Sequence, residues 1–537
     1  MRKEDRPEAY VIACNGNRAI VQGSTRCVDT VTGLTWAVGR MLSIVVGKTR
    51  IVGMVCDVDI PTGDFSADAE VLLRFDVELQ GEITTRDDGS LSFSKGIKAY
   101  PGVGSVVHQI RAADLREIYA PTSGAAAEVG ALSQDESIPG FVDIPDMLSK
   151  HFAVLGSTGC GKSASVSLLL HAAQELVPDL RTIILDPHNE YSRAFTNANT
   201  ISQDQLDLPF WLFQLEEYAE VLFRGKPVVP EEIDALRDFI PLAKMRFRDG
   251  DDRVSLRSNA SNSLSADSPA PYRMADLIAT IDEEMGLLES RYDRTVLKAL
   301  KARVGAHCED IRYRFMFRHR TIEDIASAVV GNFFNLVSPS QSAPASLTTI
   351  IQMAGMPAEV VNSVASVLCR MSFELAVAAK GNMKVLVVCE EAHRYVPAGQ
   401  GGFEPTRRAI ARIAKEGRKY GSFMAIISQR PSELDPTILS QCSTVFSLRL
   451  TNDFDQEIIR KAISSSSAST IAFISSLANR ECIAFGEGMP TPMRMLFRSL
   501  PKQWLPGADA DVFGNDNPVT DSASSRAVFN AWRAMTA

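Results

Sequence analysis

The first 120 or so residues alternate between apolar and polar positions in short runs that turn sequences separate. Alternation favours β-strands, because successive side chains of a strand point to opposite faces. Asn15-Gly16-Asn17, Gly47-Lys48 and Asp88-Gly89 are the turns between such runs. The predicted strands are residues 10–14, 18–21, 42–46, 51–55 and 71–79. Short strands with no helix between them predict a small β-barrel or β-sandwich.

From Phe152 onward the pattern changes, and apolar runs alternate with amphipathic helical segments. Strands that alternate with helices predict a mostly parallel sheet with helices on its faces, which is the α/β class. The predicted strands of this sheet are residues 152–155, 182–185, 384–389, 422–427, 444–450 and 482–485.

A long insertion separates the second of these strands from the third. Residues 254–270 are rich in Ser and Asn, which predicts a mobile loop. From Met274 to Leu288 apolar residues recur at spacings of three and four, which predicts an amphipathic helix. The chain is therefore divided into an N-terminal β-domain (1–125), an α/β core (126–215 and 330–505), an inserted helical subdomain (216–329) and a C-terminal extension (506–537).

Composition narrows the class of protein without identifying it. The 537 residues are 45% apolar and 23% charged, as in ordinary globular proteins, and are too many for one core. No run approaches the roughly 18 apolar residues of a membrane-spanning helix, and the charged N-terminus does not resemble a secretory signal. The nine cysteines form no C-x-x-C pair. Four of them, in apolar or small-residue surroundings, are interpreted as reduced structural thiols: Cys56, Cys160, Cys369 and Cys389. We expect a cytoplasmic protein with no membrane partner.

The net charge of −9 bears on nucleic-acid binding. It argues against a protein that coats nucleic acid with its whole surface. The net charge does not exclude a protein that binds DNA through one local basic strip.

A glycine-rich motif follows the first strand of the α/β region. It fits G-x-x-x-x-G-K-[ST], the phosphate-binding loop, and lies between an apolar strand and the apolar start of a helix, as the motif requires. Backbone N–H groups would face the phosphates of ATP, Lys162 would add positive charge there, and Ser163 would ligate Mg²⁺. The alternative, a glycine-rich turn that binds nothing, does not explain this context. The loop comprises Gly156, Ser157, Thr158, Gly159, Cys160, Gly161, Lys162 and Ser163.

Two acids, Glu390 and Glu391, follow the buried strand 384–389, at the carboxyl end where parallel sheets place their ligands. Adjacent strand residues point to opposite sides, so the two are expected to differ in role. Glu390 would hold Mg²⁺, through a water molecule, and Glu391 would polarise the attacking water. The alternative is a helix N-terminus that attracts acids. His393 would contact the γ-phosphate or a neighbouring subunit, or would only pack.

Gln429 follows the strand 422–427. ATPases of this kind place a polar sensor of the γ-phosphate at the end of the strand next to the catalytic acid. Gln429 is therefore the candidate sensor, and the alternative is a strand-end amide with local hydrogen bonds.

The sequence of residues 404–420 predicts a helix with Pro405 in its first turn. Arg408, Arg412, Lys415 and Lys419 fall at spacings of four, three and four, so they share one face. Such a basic stripe suits contact with DNA phosphates that does not depend on sequence. The alternatives are a solvated face and a surface between subunits.

Several segments, in their order and spacing, resemble the HerA family of DNA-translocating ATPases. They cover about two thirds of the chain, and the β-domain matches the family's small barrel in position and size. The segments are residues 151–155 with the phosphate loop, Asp186-Pro187-His188-Asn189-Glu190-Tyr191, Glu390-Glu391-Ala392-His393-Arg394-Tyr395, Glu416-Gly417-Arg418-Lys419-Tyr420-Gly421, Ser428-Gln429-Arg430-Pro431-Ser432, and Ser440-Gln441-Cys442 followed by Arg449-Leu450-Thr451-Asn452.

The resemblance implies a homohexameric ring of RecA-like cores with ATP at the subunit interfaces. Double-stranded DNA would pass through the pore, and a nuclease or other effector would dock at the barrel end. A ring ATPase also needs a cation from the neighbouring subunit to balance charge in the transition state. Arg418 is the first candidate, with Arg430, Arg449 and Lys419 as rivals.

Three functions are consistent with the resemblance. A DNA translocase or helicase would feed a partner nuclease in DNA end processing or in defence against invading DNA. An ATP-controlled hexameric scaffold would instead activate an effector, such as a nuclease or a sirtuin-like NAD hydrolase. A secretion-type ATPase would move DNA or protein across a membrane, which the lack of a predicted anchor disfavours.

Overall fold

The computed structural model describes residues 9–24, 37–61, 71–121, 123–224, 227–249, 264–318, 325–336, 346–399, 403–462 and 473–507. Residues 508–537 of the predicted C-terminal extension and residues 254–263 of the Ser/Asn-rich segment lie outside these ranges. The chain forms two compact units. The first combines Met1–Pro178 with Ser428–Pro501, and the second combines Asp179–Ile427 with Lys502–Ala537.

The first unit begins with a closed barrel of six strands, which confirms the predicted barrel. Neighbours around it run β2-β1-β7-β3-β4-β5, the pairing of β2 with β5 closes it, and β6 extends β5. Inward side chains such as Val11, Ile44 and Val77 are fully buried, which explains the alternation in the sequence. The strands are β1 (Ala9–Asn15), β2 (Arg18–Ser24), β3 (Met41–Val46), β4 (Thr49–Asp59), β5 (Leu72–Thr85), β6 (Leu91–Ser94) and β7 (Val106–Gln109).

The rest of the first unit is a mixed sheet in the order β10-β16-β17-β18-β8-β9. Only the β10–β16 pair is parallel here, so the predicted strand 482–485 exists but runs antiparallel to its neighbours. Strands β8 and β9 were not predicted, because their many small residues hide the alternation of apolar and polar positions. The elements are α1 (Ala112–Ile118), β8 (Ala126–Leu132), β9 (Asp135–Asp143), α2 (Ile144–Ser149), β10 (Phe152–Leu155), α3 (Lys162–Leu176), α11 (Pro436–Leu439), β16 (Thr444–Leu448), α12 (Asp453–Ala462), β17 (Glu481–Gly486) and β18 (Met493–Phe497).

The second unit contains five strands in the order β12-β13-β11-β14-β15, and all the pairs among them are parallel. Strands β11 and β14 are buried along most of their length, which accounts for their continuous apolar runs. The strands are β11 (Leu180–Asp186), β12 (Asn199–Ile201), β13 (Thr348–Gln352), β14 (Lys384–Cys389) and β15 (Ser422–Ser428), the last residue of which belongs to the first unit.

Helices fill the rest of the second unit, and the helix predicted from Met274 is present. Glu217 on α4 accepts hydrogen bonds from the Arg370 guanidinium on α9, and both side chains are at most 10% exposed. This buried ion pair fixes the insertion to the core. The helices are α4 (Leu215–Phe223), α5 (Pro230–Asp249), α6 (Met274–Gly286), α7 (Arg294–Glu309), α8 (Ile325–Phe334), α9 (Ala358–Ala378) and α10 (Glu404–Glu416).

The described end of the Ser/Asn-rich segment is anchored. Lys244 is buried, and its ammonium donates to the carbonyls of Ser265, Ala266 and Ser268 at 3.1, 2.7 and 2.7 Å. Burial lowers the pKa of Lys244 to about 8. Three carbonyls therefore compensate for the burial of this amine.

One helix within the described ranges, α9, is long and apolar enough to cross a membrane. Of its apolar window, 72% is buried inside the fold, as in the core helix of a domain.

Candidate functional site

The phosphate loop leaves β10 and enters α3, which begins at Lys162. Gly159 and Gly161 have φ of +75° and +93°, a left-handed conformation that glycine adopts without strain. A Cβ atom on Gly156 would lie 2.7 Å from Cys160 Sγ and 2.8 Å from Leu448 Cβ, so only glycine fits there. Lys162 is buried at the start of the helix. The backbone therefore has the curved, inward-facing form that the motif predicts.

Main-chain hydrogen bonds from neighbouring segments hold the loop. Gly156 N–H donates to the Ser428 carbonyl at 3.2 Å, and both the N–H and the hydroxyl of Ser157 donate to the Arg449 carbonyl at 2.9 Å. The Thr158 hydroxyl donates to the side-chain carbonyl of Gln429. The structure therefore brings the predicted sensor Gln429 against the phosphate loop. Arg449 contacts the loop through its carbonyl.

The predicted acids form a separate buried cluster in the second unit. Glu390 is 2% exposed and accepts a hydrogen bond from the Tyr191 hydroxyl at 3.1 Å. Tyr191 N–H donates in turn to Asp186 Oδ2 at 3.0 Å, and burial raises the pKa of Asp186. From the sequence, the segment from Asp186 to Tyr191 was recognised only through the resemblance to the HerA family. In the structure it orients Glu390.

Glu391 differs from Glu390 in its backbone. Strand β14 ends at Cys389, so the premise that the two acids are alternating strand residues is wrong. Glu391 has φ of +51° and ψ of +49°, the left-handed region that is unfavourable for a residue with a Cβ. Its carboxylate is buried, with Oε2 3.3 Å from His393 Nδ1. The backbone turn at Glu391, and not alternation along a strand, makes the two acids differ in conformation. His393 contacts Glu391.

The predicted basic stripe is divided between two elements. Helix α10 ends at Glu416 and a 3₁₀ turn, Gly417–Tyr420, follows, so Lys419 is not on the helix. The Arg408 guanidinium lies 2.6 Å from Glu216 and 3.3 Å from Glu404. Arg412 stacks on the Phe373 ring, 4.4 Å from its centroid. Two of the four residues therefore have partners within the chain, whereas Lys415 and Lys419 are exposed.

The candidates for the cation that a neighbouring subunit would supply also differ in their surroundings. Arg418 is exposed on the 3₁₀ turn. Arg430 Nη1 lies 2.7 Å from Glu433 Oε1, an ion pair on the surface. Lys419, the other candidate on this turn, is exposed as well.

A strand–loop–helix with left-handed glycines, a buried lysine at the helix start and a buried acid after a parallel strand define a P-loop ATPase with an α/β core. An N-terminal barrel precedes that core. The model of the family described as "Helicase HerA, central domain" matches residues 127–372, from β8 to α9. Over these residues and in the longer alignments below, the chain is similar to the HerA family.

Two relatives described as helicases match about two thirds of the chain. The chain is 25% identical over 403 residues to the DNA double-strand break repair helicase HerA of Pyrococcus furiosus, covering 68% of each chain. It is 26% identical over 384 residues to a probable helicase of Methanocaldococcus jannaschii, covering 69% of this chain and 70% of the relative. Among solved structures, VirB4 of Thermoanaerobacter pseudethanolicus matches 71% of this chain and 99% of its own, with 15% identity and a TM-score of 0.47.

Proposed function

We propose that the chain is an ATP-dependent DNA translocase or helicase that works as a homohexameric ring in the cytoplasm. The observation that carries the proposal is the curved phosphate loop, held at Gly156 and Ser157 by neighbouring strands. Similarity to the HerA family supports the same activity, since the relative from Pyrococcus furiosus is a DNA double-strand break repair helicase. A partner nuclease or other effector would act on the DNA that the ring moves.

The residues present fit ATP and Mg²⁺. Gly159 and Gly161 have the left-handed backbone that turns N–H groups toward phosphates, and Lys162 supplies the charge. Ser163 would hold Mg²⁺, which when bound neutralises phosphate charge.

Two side chains are assigned to the hydrolytic step. Glu391 would orient and polarise the attacking water, because its carboxylate is buried and fixed by a turn. Gln429, which already contacts the phosphate loop through Thr158, would respond to the γ-phosphate. A cation from the next subunit would stabilise the transition state, and exposed Arg418 is our first choice for it.

Displacement of a roadblock tests the motor activity directly. Linear duplex DNA carrying streptavidin at one end would be incubated with the full-length protein, Mg²⁺ and ATP. We expect ATP-dependent release of streptavidin from the wild type and none from Lys162→Ala, because that variant lacks the phosphate-binding charge. Hydrolysis without any displacement would contradict the motor and favour an ATP-controlled scaffold.

A further inference from the structure

A residue outside the glycine-rich motif forms a main-chain hydrogen bond with the phosphate loop. Arg480, which directly precedes β17, donates its main-chain N–H to the Cys160 carbonyl at 2.9 Å. Arg480 has φ of +63°, a left-handed conformation that is unfavourable for arginine. Both residues belong to the first unit.

Contacts on three sides impose this conformation. Besides its N–H bond, the Arg480 carbonyl accepts from Phe497 N–H at 3.0 Å, and its guanidinium donates to Ser499 Oγ at 2.7 Å. A strained main chain persists where its surroundings over-determine it, and such residues cluster at functional sites. The end of β18 therefore fixes Arg480, and Arg480 fixes Cys160.

The consequence for the loop follows from the geometry of the peptide bond. Every peptide bond within the described ranges is trans. In a planar trans peptide the carbonyl of Cys160 and the N–H of Gly161 point in opposite directions. Because Arg480 holds that carbonyl on the outside of the loop, the Gly161 N–H turns inward, where the motif places the phosphates.

Close packing supports the same arrangement. A Cβ atom on Gly161 would lie 2.8 Å from Arg480 Cγ and 2.9 Å from Asn479 Oδ1. Gly161 also has φ of +93°, so its contact with the Asn479–Arg480 turn and its backbone both require glycine.

We propose that Arg480 is a positioning residue of the nucleotide site, whose left-handed main chain aims the Gly161 N–H at the phosphates. The inference rests on the proposed ATPase function and extends it to a residue beyond the motif. It assigns the effect to the main chain of Arg480 rather than to its charge.

A substitution series separates main chain from side chain. Nucleotide affinity would be measured with a slowly hydrolysed ATP analogue and with ADP, on full-length Arg480→Gly, Arg480→Asn, Arg480→Ala and Arg480→Val. We expect Gly and Asn, which tolerate the left-handed region, to stay within about twofold of wild type, and Val to bind roughly tenfold more weakly. The loss should be similar for both nucleotides, because the Gly161 N–H would contact phosphate rather than base.

The Gly and Ala variants keep the test decisive if Val does not fold. Both lack the guanidinium, yet Ala should bind nucleotide more weakly than Gly. Two results would overturn the inference. One is equal nucleotide affinity in Arg480→Gly and Arg480→Ala, and the other is a loss of affinity in Arg480→Gly as large as that in Arg480→Val. If the wild type itself binds no nucleotide, the proposed function fails instead.

Discussion

At the scale of single residues, left-handed backbone recurs beside the nucleotide motifs. His151 precedes β10, Asn189 follows β11, Glu391 follows β14 and Arg480 precedes β17, all with positive φ. Each such residue other than Asn costs roughly 1–2 kcal/mol. The sequence identifies Glu391 by its position after an apolar strand. It gives no sign of Arg480, since arginine is not a residue that marks a left-handed turn.

His307 provides a pH-dependent test at the same scale. It is 1% exposed in the helical insertion, and burial, with a smaller contribution from Arg224, lowers its pKa to about 4. Asp310 acts in the opposite direction, and Arg312 acts with Arg224. The unfolded chain, with a histidine pKa of about 6.5, therefore binds a proton that the folded protein does not. The stability is fully present above pH 6.5 and is lost as the pH falls toward 4.

We expect the free energy of unfolding to fall by about 2 kcal/mol between pH 7 and pH 5 from this residue alone. His307→Phe keeps an aromatic ring among Tyr218, Tyr313 and Phe317 and removes the titration. Denaturant unfolding at the two pH values would measure both proteins. An identical pH dependence in the variant and the wild type would show that His307 is not the titrating group.

At the scale of elements, strands with a continuous apolar run were predicted well, and strands with several polar residues were not. Strands β10, β14 and β15 lie where the sequence indicates, because continuous burial produces a continuous apolar run. Strand β13 was missed, since its five residues include three polar ones. Helix α10 was predicted too long. Gly417 ends it, and a Cβ atom there would lie 2.2 Å from the Ser422 carbonyl.

The contacts of α10 determine which residues of the basic stripe are suitable for a test of DNA binding. Arg408 is paired with acids and Arg412 with an aromatic ring, so replacing them would also disturb packing. Lys415→Glu with Lys419→Glu changes only exposed side chains. We expect the ratio of ATP hydrolysis with and without DNA to fall toward one, because reversed charges repel the phosphates.

Lys298→Glu with Lys502→Glu is the matched control, since both lysines are exposed and the charge change is the same. The control should retain stimulation by DNA. If the α10 double variant is stimulated as strongly as the control, the stripe does not contact DNA.

At the scale of the whole molecule, the sequence predicted the barrel, the α/β core and the phosphate loop, each from a local pattern. It did not predict strands β18, β8 and β9, whose own patterns are weak, and it did not predict that β17 runs antiparallel to its neighbours. Assembly is also a property that one chain cannot display. The ring therefore remains a proposal.

Mixed rings test assembly and the trans cation together. Lys162→Ala and Arg418→Ala should each be inactive alone, the first through lost phosphate binding and the second through lost transition-state stabilisation. When subunits are mixed in equal amounts before assembly, about a quarter of the interfaces should combine an intact loop with an intact Arg418. ATP hydrolysis should therefore return in proportion to the fraction of such intact interfaces. A mixture as inactive as its components would exclude Arg418 from a role across the interface.

ATP binding and Mg²⁺-dependent hydrolysis, measured side by side on wild type and Glu391→Gln, show whether the protein is an ATPase in which Glu391 activates the attacking water. The account predicts that both proteins bind ATP, because the phosphate loop is unchanged, and that the variant hydrolyses it at least 100-fold more slowly, roughly the contribution of a general base. Equal turnover by the two would remove Glu391 from the chemistry. A wild-type protein that neither binds nor hydrolyses ATP, with or without DNA, would contradict the account as a whole.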